Sequence, residues 1–119
     1  MATHCAALVA RRRKRASPQI LEPSWELGAH GTGALSALGD LAFDVLVNTT
    51  SVGLRSDTSP VPADALRPGA LVMDVVYDPA QTRLLREARA LGCTTVPGRA
   101  MLVEQAGEQL RLWTGLEPP

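Results

Sequence analysis

The sequence predicts an α/β fold organised on a parallel sheet with apolar cover on both faces. Three observations lead there. The run Ala70–Val76 is apolar at successive positions, interrupted only by Asp74, which suits a strand packed on two sides. Next, Leu84, Leu85, Ala88 and Leu91 recur at helical spacing, and a last short strand, Cys93–Val96, follows them. Finally, a hydrophobic fraction of 45% with only 3% aromatic residues asks for a core of Leu, Val and Ala. At 119 residues the chain is expected to form a single domain, 1–119.

Taken in order, Cys5–Ala10 reads as a buried parallel strand, closed by the basic run Arg11, Arg12, Arg13, Lys14 and Arg15. From Ser17 to Gly39, Pro18, Pro23, Gly28, Gly31, Gly33 and Gly39 break any long element, leaving room for a helical turn or two over Ala34–Leu41. Phe43–Asn48 is a second strand, and it ends in Asn48-Thr49-Thr50-Ser51. A loop with Pro60, Pro62 and Pro68 holds one helical turn at Ala63–Leu66 and leads to the third strand, Ala70–Val76.

Asp78-Pro79 is the predicted start of the following helix, because a carboxylate accepts from free backbone N–H groups and proline fits the first helical position. Arg83, Arg86 and Arg89 fall away from the apolar face, and Gly92 is placed to stop the helix in the left-handed region. After the strand Cys93–Val96, a last helix is expected from Arg99 to about Thr114, with Leu102, Ala106, Leu110 and Trp113 as its buried stripe. This order is that of the later part of a doubly wound, Rossmann-like nucleotide-binding sheet. Such sheets bind ligands at the carboxyl ends of their strands. Arg11–Arg15, Asn48–Ser51, Tyr77 and Gly98 all fall at such ends.

Charge narrows the function classes. Formal net charge is zero, yet five of the twelve basic residues lie at positions 11–15 with no acid before Glu22. The remainder carries seven basic against twelve acidic residues, which argues against a general nucleic-acid surface. Cys5 and Cys93 have no metal or redox spacing, so a reduced, cytoplasmic protein is the simpler reading. No apolar run approaches the roughly 20 residues that span a bilayer, and the start lacks the charge order of a signal peptide.

Each candidate constellation has a plain alternative. The basic run can grip a phosphate, since the guanidinium fork binds phosphate oxygens in pairs, or it can be a solvated patch or an RNA contact. Gly28-Ala29-His30-Gly31-Thr32-Gly33 has the spacing GxxGxG without a preceding strand and reads as an ordinary loop. Asn48, Thr49, Thr50 and Ser51 can line a pocket or satisfy backbone groups at a strand end. Tyr77, the sole tyrosine, can donate to a ligand or sit half-buried at an edge. Gln105 shares a face with Met101, and a glutamine there is ordinarily solvated. His4, His30 and Lys14, the sole lysine, form no arrangement for metal binding or proton transfer.

Three ordered segments nevertheless resemble a known family over about residues 42–117. Asn48-Thr49-Thr50-Ser51-Val52-Gly53-Leu54 is similar to the Asn-(Ala/Thr)-Thr-Ser-x-Gly-(Met/Leu) segment of shikimate dehydrogenases. Asp74-Val75-Val76-Tyr77-Asp78-Pro79 resembles their Asp-x-x-Tyr-x-Pro segment. Gly98-Arg99-Ala100-Met101-Leu102-Val103-Glu104-Gln105-Ala106 resembles their Gly-x-x-Met-Leu-x-x-Gln-(Ala/Gly) signature, and Trp113-Thr114-Gly115 their helix ending.

The resemblance implies a C-terminal NADP-binding domain of a shikimate/quinate dehydrogenase, lacking its first βα unit. Its reaction would be the NADPH-dependent reversible reduction of 3-dehydroshikimate to shikimate. On this resemblance Tyr77 and Gln105 look like substrate contacts, and Val75, Gly98 and Met101 like contacts around the nicotinamide. Asn48, Thr49, Thr50 and Ser51 would shape the cofactor cleft. Arg11 and Arg15 would fall on the basic positions of the family's Asn-Arg-Thr-x-x-(Arg/Lys) segment, which grips the 2′-phosphate; Ala10 and Arg12 depart from it. The family's Lys–Asp catalytic pair, Ser-x-Ser substrate contacts and glycine-rich pyrophosphate loop have no counterpart in the 119 residues. No catalytic residue is therefore assigned, and the chain by itself is expected to be a truncated, inactive form. A non-catalytic nucleotide-binding or regulatory remnant, and quinate in place of shikimate, stay open.

Overall fold

The structure, a computed structural model, describes residues 5–8, 35–40 and 42–119. Four strands form one sheet in the order β1-β2-β3-β4: Cys5–Leu8, Val45–Asn48, Leu71–Asp74 and Thr94–Pro97. All three pairings are parallel. The expected α/β sheet is present; β2 and β3 are shorter than their apolar runs, and β4 is displaced by one residue from Cys93–Val96. Helical turns of the 3-10 type occupy Leu35–Asp40 and Ala63–Ala65, and two α-helices follow, α1 (Arg83–Ala90) and α2 (Gly98–Thr114).

Burial alternates along β2 and β3, as the period of a strand requires. Leu46 and Val72 are fully buried and form one core cluster with Leu84 and Ala88 of α1. Leu38, Phe43, Val61, Ala65, Leu66, Ala70 and Cys93 complete that cluster, which seats the two 3-10 turns and the proline-rich loop against the same face. Val45, Val47, Leu71 and Met73 point the other way and are half-buried. The expected cover on both faces is thus realised on one face and partial on the other among the described residues. Parallel strands running in sequence order, joined by right-handed crossovers, place their connections on a single face.

Two local expectations change. Helix α1 begins not at Asp78-Pro79 but at Thr82, whose hydroxyl accepts from the Leu85 N–H at 3.4 Å. The Asp78 carboxylate is drawn instead to Arg55 Nε, at 3.2 Å, and the Asp78–Pro79 bond is cis. The apolar stripe proposed for α2 is not buried: Leu102 is 46% and Trp113 77% exposed, and Gly98 is the helix's only buried residue. No element of the described residues packs over that stripe. The stop at Gly92 is as expected, with φ of 79°.

Candidate functional site

The register sets the geometry of the site. Leu8, Asn48, Asp74 and Pro97 are aligned partners across the four strands, so every strand ends at one level. The residues that follow, from Thr49, Val75 and Gly98 onward, emerge together at the carboxyl edge of the sheet.

A polar network underlies that edge. Asp74 and Asn48 are both fully buried. Asp74 Oδ1 accepts from Asn48 Nδ2 at 2.9 Å and from the Val76 N–H at 3.0 Å, while Oδ2 accepts from Thr82 Oγ1 at 2.7 Å. Asn48 Oδ1 accepts from the Thr50 N–H at 3.0 Å and from Thr50 Oγ1 at 2.7 Å, and Thr50 Oγ1 accepts from the Val52 N–H at 3.1 Å. The Thr50 N–H can only donate, which orients the Asn48 amide so that its Nδ2 must face Asp74. Further out, the Arg55 N–H donates to Asp78 O at 2.9 Å, and Arg86 pairs with Asp57, tying the 51–58 loop to the segment after β3 and to α1.

The start of α2 closes in from the other side. A Cβ on Gly98 would lie 2.5 Å from Val75 O and 2.6 Å from Val76 O, so only glycine lets the helix begin this close to the strand end. Pro97 supplies no side-chain cap, which leaves the first N–H groups of α2 without a capping side chain. Tyr77 stands beside this junction with 53% of its surface exposed, and its hydroxyl makes no hydrogen bond among the described residues. A shallow cavity of about 380 Å³, lined by Phe43, Asp44, Arg67 and Gly69 among others, lies at the opposite, amino end of β2 and β3. No group of three or more His, Cys, Asp or Glu among the described residues is placed to hold a metal.

Residues 98–119 match the family model described as the shikimate 5′-dehydrogenase C-terminal domain. The chain is 43% identical over 111 residues to the shikimate dehydrogenase (NADP(+)) of Haloarcula marismortui, covering 93% of this chain and 42% of that protein. Its structure is similar, at a TM-score of 0.72 and 38% identity, to that of shikimate 5-dehydrogenase from Thermus thermophilus in complex with NADP(H) and shikimate, over 81% of this chain and 36% of that one. The chain belongs to the shikimate dehydrogenase family. It also resembles quinate dehydrogenase from Corynebacterium glutamicum in complex with NAD, at a TM-score of 0.66 and 40% identity, over 71% of this chain and 31% of that one. The chain therefore spans less than half the length of these proteins.

Within this family framework the predicted site residues divide into four groups. Thr49, Ser51 and Tyr77 are exposed at the carboxyl edge, with Val75 half-buried and Gly98 buried beside them. Asn48 and Thr50 are buried and spend their side chains on turn chemistry within the network. Met101 is half-buried and Gln105 exposed on the first turns of α2. Arg11 and Arg15 lie outside the described residues. Sequence reasoning passed over Asp74 and Thr82 as members of the site. The signal for the first was present, as the one charged residue inside an otherwise apolar strand.

Proposed function

We propose that this chain forms the cofactor-facing part of a shikimate dehydrogenase reaction, the reversible NADPH-dependent reduction of 3-dehydroshikimate to shikimate. That step belongs to chorismate and aromatic amino-acid biosynthesis, and we assign it to the cytoplasm. The observation that carries the reading is the carboxyl edge itself: aligned strand ends, Gly98 pressed against Val75 and Val76, and an exposed Tyr77 between them. Open α/β sheets take their ligands at such an edge. The fit to a nicotinamide cofactor rests on the same close approach, since a side chain at position 98 would fill the space beside the strand end.

When bound, NADPH supplies the hydride. Val75, Gly98 and Met101 would border the nicotinamide, and Thr49 and Ser51, on the frame of Asn48 and Thr50, would line the cleft. The Tyr77 hydroxyl and the Gln105 amide would hold the substrate's polar groups. Arg11 and Arg15 would neutralise the 2′-phosphate. No side chain of the 119 is assigned the proton transfer: Lys14 is the sole lysine and sits among four arginines. Nucleic acid is not a proposed ligand, because the chain outside residues 11–15 is net acidic. Among the described residues no helix is long and apolar enough to cross a membrane.

Calorimetric titration of the 119-residue chain with NADP and NAD, followed by an NADP-linked shikimate oxidation assay, tests this reading. Binding that favours NADP and weakens with salt, without turnover, is expected. Equal binding to unrelated polyanions would reduce the basic run to a solvated patch, and turnover would overturn the absence of a proton-transfer group. The similarity to a quinate dehydrogenase structure with NAD supports a second reading, quinate with NAD, which the same titration and a quinate assay separate.

A further inference from the structure

We propose that Asp74 is the positioning residue of the cleft. Its buried carboxylate sets where the segments 49–52 and 75–77 stand relative to each other, and so the affinity for the nucleotide. The inference rests on the cofactor reading above. Three donors converge on Asp74 from three separate pieces of chain: the end of β2 through Asn48, the link after β3 through the Val76 N–H, and the start of α1 through Thr82. No ion pair among the described residues involves Asp74, so its oxygens are satisfied by neutral donors alone. Each of these donors is itself tied onward. Asn48 holds Thr50, Thr50 holds the Val52 N–H, and Thr82 caps α1 through Leu85.

Two of the donors, the Asn48 amide and the Val76 N–H, share Oδ1 and cannot act as acceptors there. Asp74→Asn therefore has one tolerable orientation. Its oxygen keeps those two donors, and its new NH₂ faces Thr82 Oγ1, which already accepts from Leu85. The Thr82 proton then loses its acceptor. The shape survives, but the contact between the two strand-end segments and α1 is weakened. This loosening falls at the carboxyl edge and not in the cluster of Leu46, Val72, Leu84 and Ala88 that holds the sheet to α1. On the cofactor reading the ligand meets these two segments, so its affinity should report the change more strongly than the fold does.

The test compares wild type, Asp74→Asn, Thr82→Val and Thr82→Ser. It uses NADP titration, urea unfolding, and amide hydrogen exchange at Thr50, Val52 and Val76. Under conditions where each chain is folded, Asp74→Asn and Thr82→Val should bind NADP at least tenfold more weakly. Exchange at the three amides should accelerate at least tenfold, with the core amides of β2 and β3 unchanged. Thr82→Ser, which keeps the hydroxyl, should restore both readouts. Affinity within twofold of wild type in both weakened variants overturns the proposal, as does slow exchange at all three amides. Should Asp74→Asn fail to fold, the Thr82 pair decides alone. Should wild type not bind NADP, the cofactor reading fails while the exchange pattern still decides for or against Asp74.

Discussion

Helix α1 has eight residues and buries Leu84, Leu85 and Ala88, whereas α2 has seventeen and buries Gly98 alone. The two are helical for different reasons. An eight-residue helix is too short to persist in water, so α1 exists because its apolar face is pinned against Leu46 and Val72 and its first turn is capped by Thr82. Helix α2 lies near the length at which isolated helices become viable, and Ala, Met, Leu, Glu, Gln and Arg favour it along its length. Its C-terminal end is set locally. Gly115 stops it at φ of 71°, and Arg111 pairs with Glu108 at 2.6 Å and with Glu117 at 3.0 Å. Tertiary packing holds the first helix and local chemistry the second. Only the first can report on the core.

The largest contrast should come from truncating one leucine on each helix. Leu84→Ala, at a fully buried position, should destabilise the chain by about 2–5 kcal/mol, through lost burial and the cavity left behind. Leu112→Ala, 79% exposed, should stay within about 0.5 kcal/mol. Urea unfolding followed by circular dichroism measures both, and equal losses would erase the distinction between the helices.

The junction between the start of α2 and the end of β3 comes next. Gly98→Ala places a methyl group 2.5 Å from Val75 O, against backbone that cannot turn aside. It should cost about 1–3 kcal/mol and weaken NADP binding, read in the same unfolding and titration experiments. Unchanged affinity would detach Gly98 from the cleft. Tyr77→Phe, by contrast, should leave stability near wild type, since the hydroxyl has no partner among the described residues.

The helix stops give a smaller, sharper comparison. Gly92 and Gly115 both have positive φ, and a Cβ on either meets nothing within 4 Å, so alanine would suffer backbone strain alone. Gly92→Ala should cost about 1 kcal/mol of global stability. Gly115→Ala should fray α2 and leave the cooperative transition in place, visible as lost helical signal before unfolding.

The smallest effect is one of pH. Burial pushes the Cys93 thiol above its ordinary value of 9.0, and its S–H donates to Arg67 O at 3.2 Å. The folded state therefore keeps a proton that the unfolded chain gives up first. Its contribution is whole below pH 9 and is lost as pH rises through the folded value. Cys93→Ala should flatten that alkaline decline in an unfolding series from pH 8 to 10.

Much of the sheet was legible beforehand because a strand buried on two sides must be apolar at successive positions, as at Val45–Val47 and Leu71–Met73. The stop at Gly92 was legible because one backbone conformation demands one residue. The start of α1 was misplaced. Asp78 and Thr82 are both competent caps, and the choice between them depends on Arg55, 23 residues away from Asp78, and on Asp74. The stripe on α2 was misread because helical spacing shows which residues share a face, not whether anything covers it.

Local sequence determined the order of the elements, the stop at Gly92 and the family, since these depend on short-range sterics and three segments with characteristic residues. Only the tertiary structure decided that Asn48 and Thr50 turn inward and that Thr49, Ser51 and Tyr77 face out. A polar side chain at a strand end can serve the backbone or a ligand. The strand register, which brings Asn48 level with Asp74, selects between them.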